Sequence, residues 1–447
     1  MGIYLTVALR NLRQARKRTA LLGTALGLVT MLLVLLMSLS RGLSETMIHN
    51  ATAVMSGHVN VAGFYKNKVT DAIPIVVGID EIRKIAAENT PGLESLVDRG
   101  RGWVKVISEK SSLFVSPSGI DIEEEQRFRG VVRLAAEKEY KEGGRDIVVG
   151  NLDKLAEPHN ALVFASQAKR LGIEVGDYLT LTAPTGSGRT NTIDVTVVAV
   201  AKDFGFMSNW NLFLPKQDIR ELYQITDDTS SVVMLYLRDP SQAEAVMGHL
   251  RGVYESKGYR LMDHEPQPFF MKFDTVAGED WTGQKLDLTV WSDEASFLLW
   301  VIRAIDGLSI ILVSILLIII GVGIMNSTWI SVRDRTNEIG TVRAIGMTRS
   351  RVLLMFLTEA LLLGLAGTSV GAVLGTILAC SIDAAAIGVP YDAVQAILMS
   401  DVLHLSVAWQ HVVGAVLGFT AVCGLSAMWP AIRASRLEPV TAIHRAG

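Results

Sequence analysis

Catalysis needs a nucleophile, an acid, a base or a ligand set at workable spacing, and the stretch that comes nearest is PTGSGRTN at residues 184–191. A phosphate-cradling loop uses glycines for close backbone approach, then a lysine and a hydroxyl. Here Ala183 stands where the first glycine belongs and Arg189 where the lysine belongs, so the stretch reads as a Gly-rich hairpin turn. His49, His58, His159 and His264 are widely scattered, and no H-E-x-x-H, C-x-x-C, G-x-S-x-G or Walker A pattern occurs. We therefore expect no catalytic residue, no cofactor-binding residue and no metal ligand. One carboxylate needs explaining: Glu359 falls in an apolar stretch with Arg343 and Arg351 in reach. A structural ion pair, Glu359 with Arg343, is preferred to a transport role. Ionisable groups in the apolar runs are too scarce to build a proton or ion relay. If this chain moves anything, the energy comes from elsewhere.

The elements that hold these residues follow from hydropathy. Of 447 residues, 49% are hydrophobic and the mean hydropathy is +0.34, too apolar for a typical soluble protein yet too charged to be membrane throughout. Charge-free runs occupy 20–40, 307–332, 360–382 and 402–432. About 20 residues cross a ~30 Å hydrocarbon core, and a charge near its centre costs about 3 kcal/mol or more. These runs read as four transmembrane helices. Residues 1–19 carry Arg10, Arg13, Arg16, Lys17 and Arg18 without an acid, and the 333–351 connector is also Arg-rich, whereas loop 383–401 has Asp383, Asp392 and Asp401 and no Lys or Arg. Both termini and the connector are thus expected in the cytoplasm. Residues 42–302 then lie outside, with 27 Lys and Arg against 37 Asp and Glu, a split that the total of −3 conceals. The first helix reads as uncleaved, and the external domain, free of cysteine, must rely on its own core.

Along the chain, Ile3, Val7 and Leu12 opposed by Arg10, Arg13 and Lys17 suggest a cytoplasmic amphipathic helix over 1–19. The first span and a stalk cover 20–56. Externally, strands are expected at 57–62, 95–107, 113–121, 232–238 and 259–263, with helices at 80–87 and 240–255. That pattern predicts a ferredoxin-like lobe from 57–121 and 231–265, holding an inserted lobe at 122–230. Within the insertion, 161–171 reads as a helix and 176–183 and 192–200 as paired strands. Residues 266–332 form an irregular linker, a second stalk and the second span. The third span is placed at 352–382, an external loop at 383–403, the fourth span at 404–432 and a cytoplasmic tail at 433–447.

The connector itself carries a short helix: Glu338 suits a helix N-terminus, Gly346 a helix stop, and Ile339, Val342 and Ile345 form its apolar side. In the third span Gly364, Gly367, Gly371 and Gly375 form a strip that lets another helix approach closely.

RTNEIGTVRAIGMTRSRV followed by FLTEALLLGLAGTSVGAVLG resembles the FtsX-like permease domain of ABC transporters of the MacB and LolC/LolE type. ALRNLRQARKRTALLG, GHVNV, GIDIEEE, AKRLGIEVGDYLTL and WPAIRASRLEPVTAI support it in order along nearly the whole chain. The resemblance implies an α-helical membrane protein with four transmembrane helices plus a large external α/β domain, made of a porter-like lobe and an inserted sabre-like lobe. It implies a homo- or heterodimer in the bacterial inner membrane, with the domain in the periplasm. Two copies of a separate cytoplasmic ATPase, which bind ATP and Mg, would drive it. The connector would be the coupling helix docking on that ATPase, through Asn337, Glu338, Ile339, Gly340, Val342, Arg343, Ala344, Gly346 and Met347. Further partners would be membrane lipid and a periplasmic carrier, adaptor or lipoprotein; nucleic acid is not expected. The layout, without MacB's fused N-terminal ATPase, is closer to LolC/LolE, whose members extract lipoproteins. A mechanical relay of the FtsX kind, activating an external cell-wall hydrolase without transport, is the alternative, and a membrane-anchored scaffold is a third reading.

Overall fold

The computed structural model describes residues 2–69, 72–185, 189–203 and 205–436, which fold as two compact units. The tail beyond 436 and the 186–188 tip of the Gly-rich turn lie outside the described residues.

One unit comprises Met1–Glu45, Ile302–Gly388 and the chain from Val402. Among the described residues four helices are long and apolar enough to cross a membrane; they lie within Arg16–Val54, Ser296–Asp334, Arg349–Ala384 and Trp409–Ser435. We call them the first to fourth membrane helices. The first two have 39 residues each, about 58 Å at 1.5 Å per residue, nearly twice the ~30 Å core of a bilayer. The fourth begins at Trp409, later than the charge-free run suggests. The residues ahead of it are extended because their backbone is bonded elsewhere: Leu403 donates to the Ile387 carbonyl and Ser406 to that of Ser38. The N-terminal helix Gly2–Gln14 packs on the third membrane helix and buries Ala8, off the Ile3, Val7, Leu12 stripe. The four helices share a core of Leu26, Leu33, Ile320, Ala372, Phe419 and Cys423.

The second unit spans Thr46–Val301 with Val389–Asp401. Its longer strands are β1 (Val59–Lys66), β2 (Leu93–Arg101), β3 (Val104–Ile107), β4 (Ser112–Ile120), β5 (Asn160–Phe164), β6 (Tyr178–Pro184), β7 (Thr190–Ala201), β8 (Asn211–Pro215), β9 (Val232–Leu237) and β10 (Gly283–Val290). β9 pairs antiparallel with β2 and β1, and β1 with β10, in the order β2-β9-β1-β10. With helices Ile79–Glu88 and Ala243–Ser256 joining β1 to β2 and β9 to β10, this is a ferredoxin-like βαββαβ sandwich. Ile82, Ile85, Val246 and Leu250 pack its helices on Val59, Val61, Val233 and Leu288.

Three expectations about this unit need correction. The closing strand is Gly283–Val290; the 259–263 segment pairs with it through an isolated Leu261↔Leu286 bridge. Lys285 and Asp287 disguise that strand, yet Asp287 is buried against Lys272 Nζ at 2.8 and 2.9 Å. The inserted lobe also begins earlier, after Arg101: β3 and β4 join β5 to β8 in a closed ring, β3-β4-β8-β5-β7-β6 and back to β3. Val104, Val115, Val163, Leu181, Val195 and Leu214 fill its core. The expected helix at 161–171 divides into β5 and the helix Ala165–Leu171, because the buried NALVF has too little periodicity to separate helix from strand.

Candidate functional site

Thr336–Ala344 is helical, with Glu338 in its first turn. It ends at Gly346, whose φ of +107° is open to glycine at low cost. The Gly346 amide donates to the Arg343 carbonyl and the Met347 amide to that of Val342, the paired bonds of a Schellman stop. The apolar side splits in two. Ile339 is buried beside Val332, Val352, Phe356, Ala431 and Ala434, and Gly340 is buried with it. Val342 is 38% and Ile345 82% exposed. Asn337, Glu338, Ala344 and Gly346 are exposed as well, whereas Arg343 and Met347 are half-buried. Leaving an isoleucine in solvent at the end of a short helix forfeits about 1.5–3 kcal/mol of burial. The connector thus offers a small surface with both apolar and charged groups.

Glu359 is held by Arg335, the residue capping the connector helix, at 3.1 Å, with the Asn11 side-chain amide at 3.5 Å. This corrects the assignment of Arg343 as its partner. Arg335 caps the helix whereas Arg343 is in its last turn, a distinction that proximity along the chain does not make. Arg18 adds a second tie, donating to Ser331 Oγ at 3.0 Å.

The glycine strip faces two neighbours. A Cβ on Gly371 would lie 2.1 Å from the Gly27 carbonyl oxygen; on Gly367 or Gly375 it would meet the first helix at 3.0 Å. On Gly364 it would meet Cys423 of the fourth helix at 2.9 Å. The third helix therefore touches the first backbone to backbone.

In the α/β unit, two arginines of β2 take hold of the C-terminal end of the first membrane helix. Arg99 Nη2 and Nη1 donate to the carbonyls of Ala53 and Val54 at 2.8 and 2.7 Å, and Arg101 Nη2 donates to that of Met55 at 2.7 Å. Tyr236 OH donates to the Thr52 carbonyl. Cations suit this end of a helix, where carbonyls lack partners. Arg99 is also bidentate with Glu125, at 2.6 and 2.7 Å, both side chains 1% exposed. Burial works against the guanidinium charge, yet Glu125 outweighs it and raises the Arg99 pKa. Arg101 lies 3.8 Å from Glu294, the last residue of the short helix Trp291–Glu294. There burial prevails: Arg101 shifts down and Glu294 up. Sequence reasoning missed this clasp; the signal was DRGR, three charges ending a strand between the buried Val97 and Val104.

Residues 310–439 match the family described as FtsX-like permease C-terminal. The chain carries an FtsX-like permease domain. Along 292 residues the chain is 25% identical to the lipoprotein-releasing system transmembrane protein LolC of Haemophilus influenzae, covering 63% of this chain and 64% of that one. Along 129 residues it is 34% identical to the macrolide export ATP-binding/permease protein MacB of Bordetella avium, covering 29% of this chain and 18% of that one. Each match spans less than two thirds of the relative's own length. The periplasmic region of MacB from Actinobacillus actinomycetemcomitans covers 45% of this chain and 86% of its own, at 13% identity and a TM-score of 0.28, too slight a likeness to argue from. The connector helix, Glu359 and the glycine strip all fall inside the matched residues 310–439.

Proposed function

We propose that this chain is the membrane subunit of an ATP-driven transporter. Two copies of a separate cytoplasmic ATPase, which bind ATP and Mg, would dock on Thr336–Ala344 of a permease dimer. Their motion would pass along the two 39-residue helices to the α/β unit, which extracts or exports a lipoprotein or another amphiphile at the outer face of the inner membrane. The observation that carries this reading is the connector: Ile339 anchors the helix from inside while Ile345, Val342 and Glu338 remain exposed. The LolC relative releases lipoproteins by its name, which favours an acylated cargo over a small molecule.

Ile345→Asp tests the docking without disturbing the buried side. Purified in mild detergent, the wild-type chain should bring an ATPase with it, and the variant should lose that partner while keeping its thermal stability. Equal recovery from both, or from neither, overturns the proposal. In vesicles containing the complex, ATP should release a labelled lipoprotein to a soluble acceptor; ATP turnover without release would replace transport by the mechanical relay.

A further inference from the structure

Away from the permease residues, the barrel brings three ligand-type side chains together. His159 immediately precedes β5, and Asp218 and Glu221 lie three residues apart on helix Lys216–Tyr223. One imidazole nitrogen and one oxygen from each carboxylate all lie within 4.8 Å of one another, with His159 Nε2 3.7 Å from Glu221 Oε2. Asp218 is fully buried. Its Oδ2 accepts the His159 amide at 2.8 Å, while its Oδ1 has no hydrogen-bond partner among the described residues. A buried carboxylate oxygen left bare is costly unless something supplies positive charge. No Lys or Arg forms an ion pair with this carboxylate among the described residues, although Arg83 and Lys216 both pair with Asp98 close by. The His159 and Glu221 side chains are half exposed, so an ion has a way in.

We propose that His159, Asp218 and Glu221 form a site for a divalent transition metal of the zinc class. An imidazole with two carboxylates suits such an ion better than magnesium or calcium, which prefer oxygen alone. Three protein ligands leave a fourth position for water. Closing from 4.8 Å to the ~3.4 Å separation of tetrahedral ligands asks a movement of about 1 Å, within reach of two exposed side chains. A bound ion would tie the helix Lys216–Tyr223 to the start of β5 and so brace one side of the barrel.

The test uses the full chain without an affinity tag, metal-stripped, in detergent, titrated with Zn²⁺ alone. One equivalent should bind per chain and raise Tm, as a ligand specific to the folded state must. Glu221→Gln and His159→Asn should each weaken binding at least tenfold while leaving the metal-free Tm near wild type. Both side chains are half exposed, and asparagine tolerates the φ of +60° at position 159. Absence of stoichiometric binding, wild-type affinity in both variants, or equal competition by Mg²⁺ overturns the site.

Discussion

Arg99→Met isolates the clasp at the end of the first membrane helix. The substitution keeps most of the side-chain volume but strands Glu125, 1% exposed, and removes the donors to the Ala53 and Val54 carbonyls. Breaking a buried ion pair by deleting one partner costs about 3–5 kcal/mol. At about 2–4 °C per kcal/mol for a domain of this size, Tm of the α/β unit should fall by roughly 10 °C. Adding Glu125→Leu removes the stranded carboxylate and leaves only the carbonyls unsatisfied, about 1–3 kcal/mol. The double variant should therefore melt above the single one and below wild type. Thermal unfolding of the full chain in detergent, followed by the fluorescence of Trp103, Trp281 and Trp291, provides the comparison. A double variant no more stable than Arg99→Met would refute the ion pair as the source of the cost, and an unchanged Arg99→Met would refute the clasp.

Gly371→Val drives a Cβ toward the Gly27 carbonyl and should cost about 1–3 kcal/mol or more by overpacking. Gly414→Val, in open space, should cost far less in the same detergent melt. Lys272→Met leaves Asp287 buried without its cation and should destabilise by about 3–5 kcal/mol, with Lys272→Met/Asp287→Leu recovering much of it in a double-mutant cycle. His58 is 2% exposed, and its Nδ1 accepts the Leu237 amide. Burial, followed by the charge of Arg127, lowers its pKa to about 4. Between 6.5 and 4 the unfolded chain binds the proton more readily, so this group's contribution is whole above pH 6.5 and declines as pH falls, by about 3 kcal/mol in all. His58→Gln should flatten that part of the stability profile; an unaltered slope would show that His58 does not titrate this way.

What was legible in the sequence was whatever one element decides alone. The membrane runs needed only length and the absence of charge, and the connector helix only Glu338 and Gly346. β1 was legible in GHVNVA because its apolar and polar residues alternate. What escaped was decided by partners far along the chain. Asp287 sits inside a strand only because Lys272 neutralises it, and Glu359 meets Arg335 only because helices separated by the connector pack together. The barrel is closed by parallel pairs, β4 with β8 and β5 with β7, whose strands have no hairpin to announce them. His159, Asp218 and Glu221 converge for the same reason, two of them on one helix and the third at the start of a strand about sixty residues earlier.

The Gly27–Gly371 contact also limits how the membrane helices can move. With no side chain between them, the first and third membrane helices cannot slide past one another without a clash of backbone on backbone. The connector helix adjoins the third helix directly, since Thr348 caps the third three residues after Ile345 closes the connector helix. The connector helix and the first membrane helix are thus both fastened to the third. The second joins the same core through Ile320 and Ile324 while Ile311, Ile315 and Ile318 face outward.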